Sequence, residues 1–277
     1  MKYSLCSIIY GSCGSMLPTY TLEEAMKRLA GIGYDGIEVV CASPHAWPYY
    51  LNDEKRKQVN KWQKDYNISI SSVMAPPGGP MGCNAASACK EEREYTVKLI
   101  KEVIDLAHIW GVKTLAYVAG WSIYGTKRID AWKNSLATLK EIGKYALDRG
   151  VNVCIEPTST DSNVVDSPDD AIQMVEESGL PNIAIMFDTA HAFFRADNPQ
   201  DYAYIAGKHL KHVHLCDYNR LAPGSGGFDF LPLMQALKDI DYQGYVTMEI
   251  GFSRTTGSDS IARKAIEHLK EIETKLK

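Results

Sequence analysis

Four ionisable residues recur at nearly even steps in the second half of this 277-residue chain: Glu156 in VCIEP, Asp188 in IMFDTAH, His214 in HVHLCD and Glu249 in VTMEI. The intervals are 32, 26 and 35 residues, each about the length of one strand plus one helix. Each residue closes a short apolar run, so four adjacent parallel strands would deliver one such side chain apiece to a common rim. Three buried carboxylates without a counter-charge cost several kcal/mol per group, and a divalent cation resolves that cost. Three carboxylates and one imidazole form a hard, oxygen-dominated set that favours octahedral Mn²⁺, Mg²⁺ or Co²⁺ over a tetrahedral structural zinc. Four protein ligands leave two positions, which a carbonyl oxygen and a neighbouring hydroxyl would fit. The competing reading of the same four residues is a structural ion-pair network.

The segment KHLKHVHLCDYNR adds detail. His212 and His214 lie two apart on a strand and point to the same, interior side. His214, nearer the C-terminal end, is the expected ligand, while His212 sits a layer deeper as a hydrogen-bonded core histidine. His209 falls on the helix-to-strand turn at the opposite end. Glu38, inside GIEVV, is read either as lining the site or as an interior acid paired within the fold.

These residues need strands to position them. Eight short runs rich in Val, Ile and Tyr serve, near Tyr3–Ile9, Gly36–Val40, Ile68–Met74, Thr114–Val118, Asn152–Glu156, Ala184–Asp188, His212–Asp217 and Tyr245–Glu249. Stretches of helical period alternate with them, the pattern of βα units around a parallel sheet. The first helix opens at Thr21, with Glu24 three residues on as a capping box. GIGYDGIEVV, WGVKTLAYV, RGVNVCIEP and DYQGYVTMEI form a weak repeat that places Gly after a helix and an apolar strand behind it, as a left-handed helix cap requires. With Ser260–Lys277 as a closing helix, the count gives a (β/α)8 TIM barrel in one domain over residues 1–277. An open doubly wound sheet is disfavoured because no GxGxxG follows the first strand and the eighth unit is left over. The loops after strand ends are long and rich in Gly and Pro (CASPHAWPYYL, APPGGPMGCNAASACK, DYNRLAPGSGGFDF), and in a barrel that face carries the active site.

Composition narrows the partners. Thirty Lys and Arg nearly balance 34 Asp and Glu, without the basic footprint of a nucleic-acid binder. Seven scattered cysteines without a CxxC pair read as reduced thiols of a cytoplasmic protein. The apolar run in MKYSLCSIIYGSCGS is too short for a signal peptide, and no stretch approaches the ~20 apolar residues of a membrane-spanning helix. Charge argues for a small neutral ligand or none, with neither nucleic acid nor membrane as partner.

In type and order these residues resemble the xylose isomerase-like superfamily of TIM barrels, which contains ketose 3-epimerases, sugar isomerases, inosose dehydratases and the DNA-repair enzyme endonuclease IV. The likeness covers the whole chain. GYDGIEV with SPHAW, IEPTSTDSNVV, FDTAHAF, HVHLCDYNR with PGSG, and YQGYVTMEI look most like the D-tagatose/D-psicose 3-epimerase group and its fructoselysine-epimerase-like relatives. The resemblance implies one divalent metal, Mn²⁺ first and Mg²⁺ or Co²⁺ as alternatives, held by Glu156, Asp188, His214 and Glu249. It implies that Glu156 and Glu249 are the acid/base pair for C3 epimerisation of a free or conjugated ketose through a cis-enediolate. His191 and Arg220 match residues that hold the carbonyl-end oxygens of the sugar. Where the epimerases carry a further Glu after the fifth strand, EPTSTDSN is one residue shorter and offers Asp161 as the expected substrate contact; Glu38 is expected to join it if it lines the site. A homodimer or homotetramer is also implied.

Rivals within the fold are weighed on the same residues. Endonuclease IV uses three zinc ions and extra histidines; SSVMAPPGG and LAYVAGW contain none, and Phe230 stands where another would be. A non-catalytic sugar-binding barrel is disfavoured because both glutamates are present. Inosose dehydratase, hydroxypyruvate isomerase and aldose–ketose isomerase share the constellation and stay open. PGSGG could form a phosphate nest, but no Lys/Arg cluster accompanies it, which favours an unphosphorylated substrate.

Overall fold

The computed structural model describes residues 1–11, 19–76, 83–251 and 257–277; part of the APPGGPMGCNAASACK loop lies outside them. Eight parallel strands, β1 (Lys2–Cys6), β2 (Gly36–Val40), β3 (Ser69–Met74), β4 (Thr114–Val118), β5 (Asn152–Glu156), β6 (Ile183–Asp188), β7 (Leu210–Leu215) and β8 (Tyr245–Met248), pair in sequence order. β1 also pairs with β8, closing the barrel. Helices α1 (Leu22–Ile32), α2 (Asp53–Asp65), α3 (Lys90–Trp110), α4 (Arg128–Leu147), α5 (Pro168–Ser178), α6 (Thr189–Phe194), α7 (Pro199–Ala206), α8 (Leu231–Asp239) and α9 (Ser258–Glu273) connect the strands and close the ring.

Alternation along the strands divides the side chains into two layers. Leu5, Ile37, Val39, Val153, Ile155, Ile185, Phe187, Val213, Leu215, Val246 and Met248 face the helices in the main core. Burying each is worth roughly 1.5–3 kcal/mol. The alternate positions fill the barrel interior with small or polar groups, among them Ser4, Glu38, Ser72, Cys154, Ala184, His212, His214 and Thr247, all buried.

Several boundaries differ from the sequence reading. β1 ends at Cys6, because Ser7–Tyr10 turns into a 3-10 helix whose Ser7 hydroxyl accepts the Val40 N–H at 3.0 Å. β7 starts at Leu210 and stops at Leu215, leaving Asp217 in a loop bridge to Leu221. β8 stops at Met248, yet the Glu249 N–H still donates to Leu215 O at 3.1 Å, which keeps Glu249 on the rim.

Thr21 caps α1 by accepting the Glu24 N–H at 3.2 Å, but the Glu24 carboxylate turns to Arg28 at 3.0 Å, so only half of the capping box forms. Gly33 and Gly111 cap their helices at φ +103° and +73° as the repeat predicts. In the fourth copy Asp241 takes the left-handed conformation, at φ +54°. Gly244 is there for space: a Cβ would lie 2.3 Å from the Tyr242 hydroxyl.

Candidate active site

Four strand ends converge on a single imidazole nitrogen. His214 Nδ1 lies 3.4 Å from Glu249 Oε2, 3.9 Å from Asp188 Oδ2 and 4.0 Å from Glu156 Oε1. The strands β5 to β8 thus bring together all four residues read from sequence. Nδ1 is buried and has no hydrogen-bond partner among the described residues. A bare nitrogen among three carboxylate oxygens suits a hard divalent cation, and the donor set fits one.

The charges are strongly perturbed. Burial, reinforced by Asp188 and Glu249, pushes Glu156 well above the usual carboxylate range despite His214. Burial likewise pushes Asp188 up to about 7, even with Arg220 beside it. Burial opposes the charge on Glu249 as well, but Arg220 and His214 outweigh it and hold that carboxyl well below its ordinary value. For His214 burial is again opposing, and the carboxylates of Glu38 and Glu249 raise the imidazole well above its usual range. Two glutamates on one rim are therefore driven apart, the pattern expected of an acid and a base.

Arg220 supplies the local positive charge. Its Nη1 donates to Glu249 Oε2 at 2.5 Å and also to Asp188 Oδ2. The side chain is aimed by an unusual corner, since Asn219 and Arg220 both have φ +58°. The corner is held by the Gly251 N–H, which donates to Arg220 O at 2.7 Å. Non-glycine residues at positive φ are uncommon and persist where the surroundings over-determine them.

His191 and Asp161 are linked through a residue the sequence reading passed over. His191, on α6, places Nε2 3.6 Å from Glu156 Oε1 and Nδ1 3.0 Å from the Thr160 hydroxyl, which donates to Asp161 Oδ2 at 2.9 Å. Burial, followed by Arg220, lowers the His191 pKa to about 4, so the ring is neutral at pH 7. Asp188 holds α6 in place: its Oδ1 accepts the Ala190 N–H at 2.8 Å. The signal for Thr160 was its place beside Asp161 on a rim loop.

Glu38 is corrected. Read as a substrate contact, it is fully buried inside the barrel and accepts from His212 Nε2 at 2.8 Å and Ser72 Oγ at 2.8 Å, with His214 Nε2 2.9 Å from its other oxygen. It lies behind His214, away from the cavity. His212 is the paired core histidine expected of it.

A cavity of about 660 Å³ takes in Glu156, Asp161, His191, Arg220 and Glu249 on its polar side. Its remaining wall is mainly apolar, with Val40, Met74, Pro76 and Trp121. Thr158, also on the wall, has a buried hydroxyl without a partner among the described residues. Trp121, three residues past the end of β4 on the loop face, went unremarked in the sequence.

The PGSGG loop does form a nest, and the chain fills it. Asp217 Oδ2 accepts the N–H groups of Gly224, Ser225, Gly226 and Gly227 at 2.7–3.2 Å, and Oδ1 accepts those of Tyr218 and Phe228. An internal carboxylate stands where a phosphate was considered. Cys6, Cys41, Cys89, Cys154 and Cys216 are free thiols, and no helix of the described residues is long and apolar enough to cross a membrane.

Residues 26–272 match the family described as the xylose isomerase-like TIM barrel. The chain is 27% identical to D-psicose 3-epimerase of Enterocloster bolteae, over 82% of this chain and 76% of that one. It is 26% identical to fructoselysine 3-epimerase of Shigella flexneri, over 91% and 93%. Among solved structures, a D-psicose 3-epimerase studied in the presence of D-fructose superposes with a TM-score of 0.84 at 20% identity, covering 98% of this chain and 99% of the other. That likeness establishes the fold.

Proposed function

Because this chain belongs to the xylose isomerase-like TIM barrel family, we propose that it is a divalent-metal-dependent sugar epimerase acting at C3 of a free or conjugated ketose. The single observation that carries the reading is the convergence of Glu156, Asp188 and Glu249 on the bare Nδ1 of His214. The relatives named as ketose 3-epimerases support it.

Epimerisation next to a ketone requires removal of a proton, retention of a cis-enediolate, and return of a proton to the other face. One base serves both faces poorly, whereas two carboxylates can divide the task. Glu156 and Glu249 come from strands three apart in the barrel and both reach the cavity. Facing the cavity from opposite sides of the set, one of the two carboxylates would take the C3 proton and the other return one. Glu156, Asp188, His214 and Glu249 would hold the cation, which when bound supplies positive charge to the developing oxyanion. Arg220 adds charge and orientation. Neutral His191, its Nδ1 engaged by Thr160, presents Nε2 beside Glu156 to a sugar hydroxyl.

Mn²⁺ as the metal, a homodimer or homotetramer, one domain over residues 1–277 and a cytoplasmic location belong to the same reading, the last supported by the free thiols of Cys6, Cys41, Cys154 and Cys216 inside the fold. So does an unphosphorylated substrate, supported by the filled nest. The apolar wall of the cavity supports testing conjugated sugars beside free ones.

The test is NMR of the Mn²⁺-treated protein in D₂O with fructose, tagatose, psicose, ribulose and a ketose conjugate, the metal being removed before spectra are taken. Label at C3 with a new epimer is the expected result. Label at C1 instead would make the protein an aldose–ketose isomerase, and loss of water from a cyclic polyol would make it a dehydratase.

A further inference from the structure

We propose that Glu38 is a positioning residue: by accepting a hydrogen bond from His214 Nε2 across the barrel, it fixes Nδ1 as the nitrogen presented to the divalent cation. The inference rests on the metal-dependent reading of the rim. Glu38 Oε1 is 2.9 Å and Oε2 3.0 Å from His214 Nε2, and both residues are fully buried. Binding a cation leaves His214 a neutral imidazole with one proton. With that proton on Nε2 and donated to Glu38, Nδ1 is left as a lone pair. Nδ1 is the atom that faces the three rim carboxylates and has no hydrogen bond of its own among the described residues. The other tautomer would set an imidazole lone pair against a carboxylate oxygen at 2.9 Å and put a proton where the cation belongs.

The contact depends on closure of the barrel. Glu38 lies on β2 and His214 on β7, 176 positions apart in sequence, and the β2/β3 register shifts between Ile37 and Glu38. Such irregularities re-aim side chains next to functional sites. The Glu38 carboxylate is itself held by His212 at 2.8 Å and Ser72 at 2.8 Å. Ser72 continues through Ser71 to Ser4 at 3.2 and 2.6 Å. A ligand histidine tied to a carboxylate in this way is typical of metal sites, and loss of the carboxylate costs roughly 10- to 100-fold in affinity. His212 then has a role one step further back, as a partner for the Glu38 charge.

The experiment compares wild type, Glu38→Gln and His212→Gln, each checked for folding by circular dichroism. Mn²⁺ affinity is measured by electron paramagnetic resonance, and the His214 tautomer by ¹⁵N NMR with and without Mg²⁺. Wild type with Mg²⁺ bound should show His214 protonated on Nε2 alone, Nδ1 having lost its proton to the cation. Glu38→Gln should bind Mn²⁺ roughly 10- to 100-fold more weakly and populate both tautomers, because an amide can accept or donate. His212→Gln leaves the Glu38–His214 contact in place and should stay within about threefold of wild type. An unchanged tautomer and affinity in Glu38→Gln, or an equal loss in His212→Gln, overturns the inference while leaving the rim reading intact. A wild-type His214 resonance indifferent to Mg²⁺ overturns both.

Discussion

Oδ2 of Asp217 accepts the backbone N–H of Gly226 at 2.7 Å, and a Cβ on Gly226 would lie 2.6 Å from Oδ1 of the same carboxylate. The glycine is there so that the loop can close on an internal anion. The same loop carries Arg220, so an acid that touches neither metal ligand nor cavity fixes the corner from which the guanidinium reaches the rim.

Asp217→Asn should therefore loosen that corner. Replacing a charged acceptor of several N–H donors by an amide costs about 2–4 kcal/mol, to be read from urea unfolding. KM should rise more than Mn²⁺ affinity falls, because Arg220 is misplaced while the ligands stay. Ketose phosphates should show lower kcat/KM than the corresponding free ketoses, since the nest that would hold a phosphate is already filled.

Arg220 neutralises Asp188 and Glu249 when no cation is present. Arg220→Gln should destabilise the metal-free protein by about 1–3 kcal/mol, a buried-pair value reduced because the side chain is one-third exposed. Adding Mn²⁺ should recover most of that loss. Thermal melts of both proteins, with and without Mn²⁺, check the prediction; equal losses in both states would count against it.

Metal binding should release protons around neutral pH. Asp188 at about 7 and the raised Glu156 and His214 all hold protons in the metal-free protein that the cation must displace. Affinity should fall as pH drops through 7, by up to about tenfold per pH unit for each proton displaced. Calorimetry at pH 6.5 and 8 in buffers of different ionisation enthalpy counts the protons.

The same groups set the stability profile of the metal-free protein. Each binds more protons folded than unfolded, so its contribution is present at low pH and lost as pH rises. For Asp188 the loss runs from about pH 4 to about 7. The depressed Glu249 acts in the opposite sense, only below the ordinary carboxylate range. Metal-free stability should decline from pH 5 to 8 and be flatter with saturating Mn²⁺, as urea titrations would show.

Glu249→Gln should keep much of the metal site and abolish turnover. Loss of a positioned acid/base group costs roughly 10²- to 10⁴-fold in kcat, measured at saturating Mn²⁺. An active Glu249→Gln protein would refute the two-base assignment.

The repeating βα unit, the inward side of each strand and the four rim residues are legible along the chain, because period-two alternation and helix caps are local properties. Thr21 capped its helix and Glu156, Asp188, His214 and Glu249 met as their spacing required. The sequence also singled out Glu38, read either as lining the site or as an interior paired acid, and Arg220 as a substrate contact, without naming what either meets in the fold. It takes the folded barrel to show that Glu38 meets His214 across its interior, that Asp217 fills the glycine nest, and that a left-handed corner turns Arg220 onto Asp188 and Glu249. Those contacts depend on barrel closure, on register shifts at Ile37/Glu38 and Ile185/Met186, and on loop conformation. Each joins groups from different elements, so no local propensity encodes it.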